Sequence, residues 1–252
     1  MINNRNIHSV LIAALLLMPM AAFAKENTSN TANQEKAILL TYIEREPGID
    51  DYEVTMLVSD RYLRLDEVDE DSGFIIYDDE EKTIHSVSHH DQSVLVIKEH
   101  AFTKDDSPVP YEIEYLQLAD APDVSGQKIF NYRVFTGKGD AEETCNEIQL
   151  VENLLPKVTA LLANYQMVVS GQQVKMTDNK INDMQNACYF VDQIYNTGAY
   201  YKKGLPIQEW HSNERSRILI SYKERPLDPV KFNLPEKYRR YSMDKNSRTS
   251  IK

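Results

Sequence analysis

The sequence predicts an α+β fold in which a curved antiparallel β-sheet, an incomplete barrel, carries a helical insert over its concave face. Three observations predict it. Short runs of alternating apolar and polar residues follow one another from Glu35 to Thr136, separated by short polar turns. A stretch from Asp140 to Thr197 changes to helical spacing, and two further alternating runs return after Gly204. Parallel strands need crossovers of a dozen or more residues, so turns this short argue for an antiparallel meander.

The elements follow in order. Residues 1–24 have the three parts of a secretory signal: a polar start with Arg5, an apolar run from Val10 to Phe23, and small residues up to Ala24, where cleavage is expected. The apolar run is shorter than the ~20 residues a membrane-crossing helix needs, so the expectation is an exported, periplasmic product with no transmembrane segment. Residues 25–34 are polar and are expected to form a disordered leader. A single domain is expected over residues 35–238, with its helical insert at 140–197 and a basic, flexible tail at 239–252.

Within the domain, Tyr52, Val54, Met56 and Val58 alternate with Glu53 and Thr55, the period of a half-buried strand. Similar runs at 37–44, 62–66, 73–77, 82–89, 93–98, 111–118 and 128–136 predict further strands. Turn residues stand between them at Pro47-Gly48, Asp78-Asp79, Asp91-Gln92 and Ser125-Gly126. After Gly137, the apolar residues Ile148, Val151, Leu155, Val158, Leu162 and Tyr165 fall at helical spacing, and Pro156 inside that stretch predicts a kink or break near Leu155. A second helix is expected from Asp178, a candidate cap, to Tyr195, with Ile181, Met184, Cys188, Val191 and Tyr195 on its face. Residues 205–211 and 216–223 form a closing hairpin, after which the chain becomes proline-punctuated and basic.

Charge and cysteine content narrow the partners. The chain carries 39 acidic against 28 basic residues, a net of −11, which argues against a nucleic-acid partner. Glu67, Asp69, Asp71 and Asp78 crowd one turn, but the spacing of a calcium loop is missing and strands flank it, so a solvated acidic turn is the reading adopted. His85 and His89 would stand roughly 13 Å apart on one strand, too far to share an ion, so no metal is expected. The two cysteines, Cys145 and Cys188, each have one possible partner in an oxidising compartment and are expected to form a disulfide, the alternative being two buried thiols. The sequence contains no G-x-S-x-G elbow, no H-E-x-x-H and no phosphate-binding glycine loop, so no catalytic residue and no cofactor is assigned.

The order of a signal, a long meander, a helical segment and a final hairpin, closed by Leu227 to Tyr238 (LDPVKFNLPEKY), resembles the periplasmic lipoprotein-carrier-like (LolA/LolB-like) superfamily. Two local patterns carry the likeness: Ser72 to Val87 (SGFIIYDDEEKTIHSV), and GLPIQEWH at Gly204 to His211 with its downstream F-x-L-P-x-x-Y ending. The resemblance implies a strongly curved, incompletely closed barrel with helices over its open side and a concave apolar surface that holds an acyl chain or apolar peptide. On this reading the cavity candidates are Val54, Met56, Tyr115, Tyr132, Leu155, Leu162, Met184, Tyr195 and Trp210. The 15 tyrosines serve either as an ordinary amphipathic rim or as a binding mouth. The expected function is binding of a lipid, a lipoprotein acyl chain or another apolar ligand. Two other readings stay open: a non-enzymatic protein–protein adaptor of the envelope, and a hydrolytic enzyme with a dispersed site.

Overall fold

The computed structural model describes residues 35–66, 72–177 and 186–243. Twelve strands form one sheet: β1 (Lys36–Arg45), β2 (Tyr52–Val58), β3 (Tyr62–Asp66), β4 (Gly73–Asp78), β5 (Thr83–Ser88), β6 (Ser93–Lys98), β7 (Tyr111–Gln117), β8 (Ile129–Thr136), β9 (Glu143–Glu152), β10 (Gly204–His211), β11 (Ser216–Pro226) and β12 (Arg239–Ser242). Their spatial order is β12-β6-β5-β4-β3-β2-β1-β11-β10-β9-β8-β7. Every pairing is antiparallel except β12 with β6, and the edge strands β7 and β12 do not meet, so the sheet is not closed into a barrel. Two helices accompany it: α1 (Pro156–Thr177), and α2 (Ala187–Phe190), which runs on into a π-helical turn, Val191–Tyr195. The α+β class with helix over sheet is as the sequence predicts.

Alternation decides which side of the sheet is covered. Leu40 faces Met56 and Tyr42 faces Val54 across β1 and β2, and these side chains belong to the main core with Leu63, Tyr77, Ile148, Leu161, Leu162 and Phe190. Helix α1 joins that core through Val158, Leu161, Leu162 and Val168. At Gly171 the helix backbone comes so close to the chain below that a Cβ would sit 2.3 Å from the His100 carbonyl oxygen. The opposite face has its own smaller cluster of Phe74, Ile76, Val87, Val94 and Val96, roofed by Phe232 from the C-terminal segment.

Three expectations need correction. Residues 143–152 form strand β9 and not the start of a helix. In β9 the outward Glu147 and Gln149 alternate with the buried Ile148 and Leu150, and the 3–4 spacing of Ile148, Val151 and Leu155 is a by-product of that strand running into a turn. Pro156 does not kink a helix; it opens one, at the first position, where its missing N–H would have had no partner. The turn before it, with Asn153 at φ 55° and Leu155 at φ 51°, is what separates strand from helix. Finally, Arg239–Ser242 is not a free tail. Phe232 stacks on Tyr62 at 5.3 Å, the Tyr238 hydroxyl meets His89 Nδ1 at 2.9 Å, and these anchors deliver Arg239 to donate its N–H to the Gln92 carbonyl.

Cys145 and Cys188 are bonded to each other, both fully buried. Because Cys145 lies on β9, the bond ties helix α2 to the sheet and not one helix to another. The expected signal and leader, the acidic residues Glu67, Asp69 and Asp71, the candidate cap Asp178, Ile181 and Met184, and the basic residues beyond Met243 lie outside the described residues.

Candidate functional site

The helix-covered face divides into two halves. Over β7 to β10 it is filled by aromatic side chains. Tyr115 stacks on Phe130 at 4.9 Å, Tyr132 meets Tyr200 edge-on at 6.2 Å, and Phe102 packs against Tyr195. The polar ends of these rings are satisfied internally: Tyr115 donates its hydroxyl to Glu152 at 2.7 Å, and Tyr132 donates to Asn196 Oδ1 at 2.9 Å. Over β1 to β4 the cover is incomplete among the described residues. There α1 and the sheet leave an open cleft of about 750 Å³, lined by Val54, Met56, Leu65 and Ile75 from the strands and by Leu162, Tyr165 and Val169 from α1.

Of the sequence-predicted cavity residues, Val54, Met56 and Leu162 come together in this cleft. Tyr115, Tyr132 and Tyr195 pack in the filled half, and Leu155 sits in the turn before α1, half-buried against the core. Trp210 is 39% exposed and faces away, because its neighbours Glu209 and His211 on β10 turn toward the helices. Met184 lies outside the described residues.

One end of the cleft is ionic. Glu44, Gln166, Gln193, Arg215 and Arg217 line both the apolar cleft and an adjoining small cavity of about 130 Å³, which adds Asp192, Glu209 and His211. Arg217 donates from Nε and Nη2 to Glu209 Oε1 at 3.1 and 2.6 Å, and its Nη1 lies 3.5 Å from Glu44. Tyr200 donates its hydroxyl to the other Glu209 oxygen at 3.1 Å. His211 places Nδ1 2.8 Å from Asp192 and Nε2 3.7 Å from Glu209, and Asn146 donates to the second Asp192 oxygen. Asp192 sits on the π-helical turn, so the network joins cover to sheet beside the disulfide.

Burial alone would raise the Glu209 carboxyl, yet Arg217 and His211 outweigh it and hold it down at about 2. Burial would likewise lower His211, but the hydrogen bonds and charges of Asp192 and Glu209 raise it to about 9, so the ring is a cation at neutral pH. A histidine already protonated and held by two carboxylates is not poised as a general base. Sequence reasoning missed this cluster; its signal is a charged residue, Arg217, at a core-facing strand position followed by two isoleucines, Ile218 and Ile220, that face outward. Among the described residues no group of three or more histidine, cysteine or acidic side chains could hold a metal ion, and no helix is long and apolar enough to cross a membrane.

No protein-family model and no curated protein matches the chain. Among solved structures it is similar to an uncharacterized conserved protein from Thermus thermophilus, at 9% identity and a TM-score of 0.38 over 83% of this chain and 91% of that one. It is similar also to PNGF-II, at 9% identity and a TM-score of 0.38 over 83% of this chain, which spans 31% of PNGF-II.

Proposed function

We propose that the protein binds an acyl chain or similar apolar ligand in the cleft between α1 and strands β1 to β4, as an exported, periplasmic member of the lipoprotein-carrier-like superfamily. The observation that carries this reading is the half-covered sheet face: a space of about 750 Å³ walled by Val54, Met56, Leu65, Leu162 and Val169. Ligand pockets span ~300–1,000 Å³, and each buried methylene contributes about 0.8 kcal/mol. The neighbouring half, built from the same sheet, is filled with its own aromatic rings, so the opening is a local feature of β1 to β4.

Native mass spectrometry and solvent extraction of the gently purified protein should return bound acyl lipid. Val54→Trp, which fills the cleft, should release it while the thermal transition is kept. A protein that is always empty, and that takes up no acyl chain when one is supplied, overturns the proposal. The adaptor reading has one observation in its favour: Trp210, Ile218 and Ile220 are exposed together on the uncovered faces of β10 and β11.

A further inference from the structure

The ionic end of the cleft bears on what a bound chain carries at its head. Each charge there is already met by an opposite one. The small cavity is lined by three carboxylates (Glu44, Asp192 and Glu209) and three cations (His211, Arg215 and Arg217). Glu44 lies within 4 Å of both arginines, Glu209 and His211 are within 4 Å of each other, and Arg215 is 2.9 Å from the further carboxylate of Glu46. Asp66, the other acid of the apolar cleft, accepts from Arg64 at 2.7 Å. An incoming carboxylate or phosphate would meet fixed carboxylates around each guanidinium, and an incoming ammonium would find its carboxylates occupied.

Spare hydrogen-bonding capacity lies instead on uncharged side chains where the apolar and ionic parts join, two amides among them. Gln193 donates its Nε2 to Asp192 at 2.7 Å, and its Oε1 has no partner among the described residues. Gln166 uses Oε1 to accept from Thr197 at 3.4 Å, and its Nε2 is likewise unpaired among the described residues. Both line the cleft, so it offers one amide donor and one amide acceptor beside a balanced ionic wall.

We infer that the cleft selects an acyl chain bearing an uncharged, hydrogen-bonding head of the glycerol-ester kind, with Gln166 and Gln193 as its head-group contacts, and discriminates against chains with a charged head. The inference rests on the acyl-chain reading above. Three probes of one chain length separate the two: 1-dodecanoylglycerol, dodecanoate and dodecylammonium, titrated calorimetrically below their micellar concentrations at pH 7.5. The glycerol ester should bind at least about fivefold more tightly than either charged probe, and Glu44→Gln, which removes one opposing carboxylate, should strengthen dodecanoate about fivefold. Gln166→Leu with Gln193→Leu should shrink the ester's advantage by about fivefold while the thermal transition is retained. A charged probe that comes within that margin, a Glu44→Gln protein indifferent to dodecanoate, or an unchanged preference in the double glutamine variant overturns the head-group assignment and leaves the cleft reading standing. If none of the three probes binds, the cleft reading falls with it.

Discussion

Replacing Arg217 by methionine tests how the ionic end of the cleft is held together. Among the described residues Arg217 is the only arginine on Glu209, a carboxylate 2% exposed, and it makes two charge-assisted hydrogen bonds to one of its oxygens. With the guanidinium gone, Glu209 retains, among the described residues, only the Tyr200 hydroxyl and His211 at 3.7 Å. Removing one partner of a buried ion pair costs about 3–5 kcal/mol, chiefly because the other charge stays in a dry site. For a domain of this size that corresponds to a fall in Tm of about 10 °C. The pH dependence gives the reasoning a second handle. In the wild type the Glu209 carboxyl, held at about 2, contributes stability present above its ordinary range near 4.5 and lost as the pH falls toward 2. In the variant Arg217 no longer helps to offset burial, the carboxyl moves up, and protonation relieves the poorly compensated charge at mild acidity. Urea unfolding at pH 7 and at pH 4.5 should therefore show the deficit of Arg217→Met shrinking in acid, and Glu209→Gln combined with Arg217→Met should recover at least half of it at pH 7. A deficit below about 1 kcal/mol at pH 7, or one that does not change with pH, refutes the account.

Other expectations can be checked by simple measurements. The His211 ring, raised to about 9 from an ordinary 6.5, contributes stability fully present below 6.5 and lost as the pH rises through 9; chemical denaturation should show a decline of about 3 kcal/mol across that window, flattened in His211→Gln. Replacing Cys145 and Cys188 together by alanine opens a loop with a sequence separation of 43 and should cost about 4 kcal/mol in urea unfolding, with non-reducing mass analysis showing the bond in the parent. Gly73→Ala places a methyl group 1.9 Å from the Val87 carbonyl oxygen at φ 150°, so it should lower stability by more than about 2 kcal/mol, whereas alanine at Gly48, where nothing lies within 4 Å, should cost about 1 kcal/mol through its positive φ alone.

Much of the sheet was legible because alternation is a local signal. Val54 and Met56 were read as inward-facing from their spacing alone, and Leu162 from its place on a helical stripe, and all three line the cleft. Strand β9 was not legible because Ile148, Val151 and Leu155 fit two periods at once, and only the turn at Asn153 to Leu155 decides between them. Strand β12 is four residues with two arginines, and it is placed by Phe232 and Tyr238 acting from outside it. The ionic cluster was hidden for a different reason. On β11 the sequence offers Ile218 and Ile220 on one face and Arg217 on the other, and hydrophobicity alone turns the isoleucines inward, whereas Glu209 arriving from β10 holds Arg217 on the covered side. A pair contributed by separate strands cannot be seen in either strand's own pattern. Tyr115, Tyr132 and Tyr195 show the converse: they were named as cavity residues and do join the main core, but which half of the sheet is filled depends on where α2 is tethered.

The central seam of the sheet sets an order of assembly. β1 lies between β2 and β11, so residues 36–45 pair with residues 216–226, while β2 to β6 and β7 to β10 are hairpin-linked runs in which each strand pairs with a near neighbour in sequence, apart from the helical crossing between β9 and β10. Loop closure makes distant pairings slow and near ones fast. The two runs can zip early as separate half-sheets. The β1–β11 ladder has to wait until almost the whole chain is available, and Arg217 takes its seat between Glu44 and Glu209 only when that ladder closes. Until then two unsatisfied strand edges stand open, which makes the period before closure the chain's most exposed to wrong pairing with other chains.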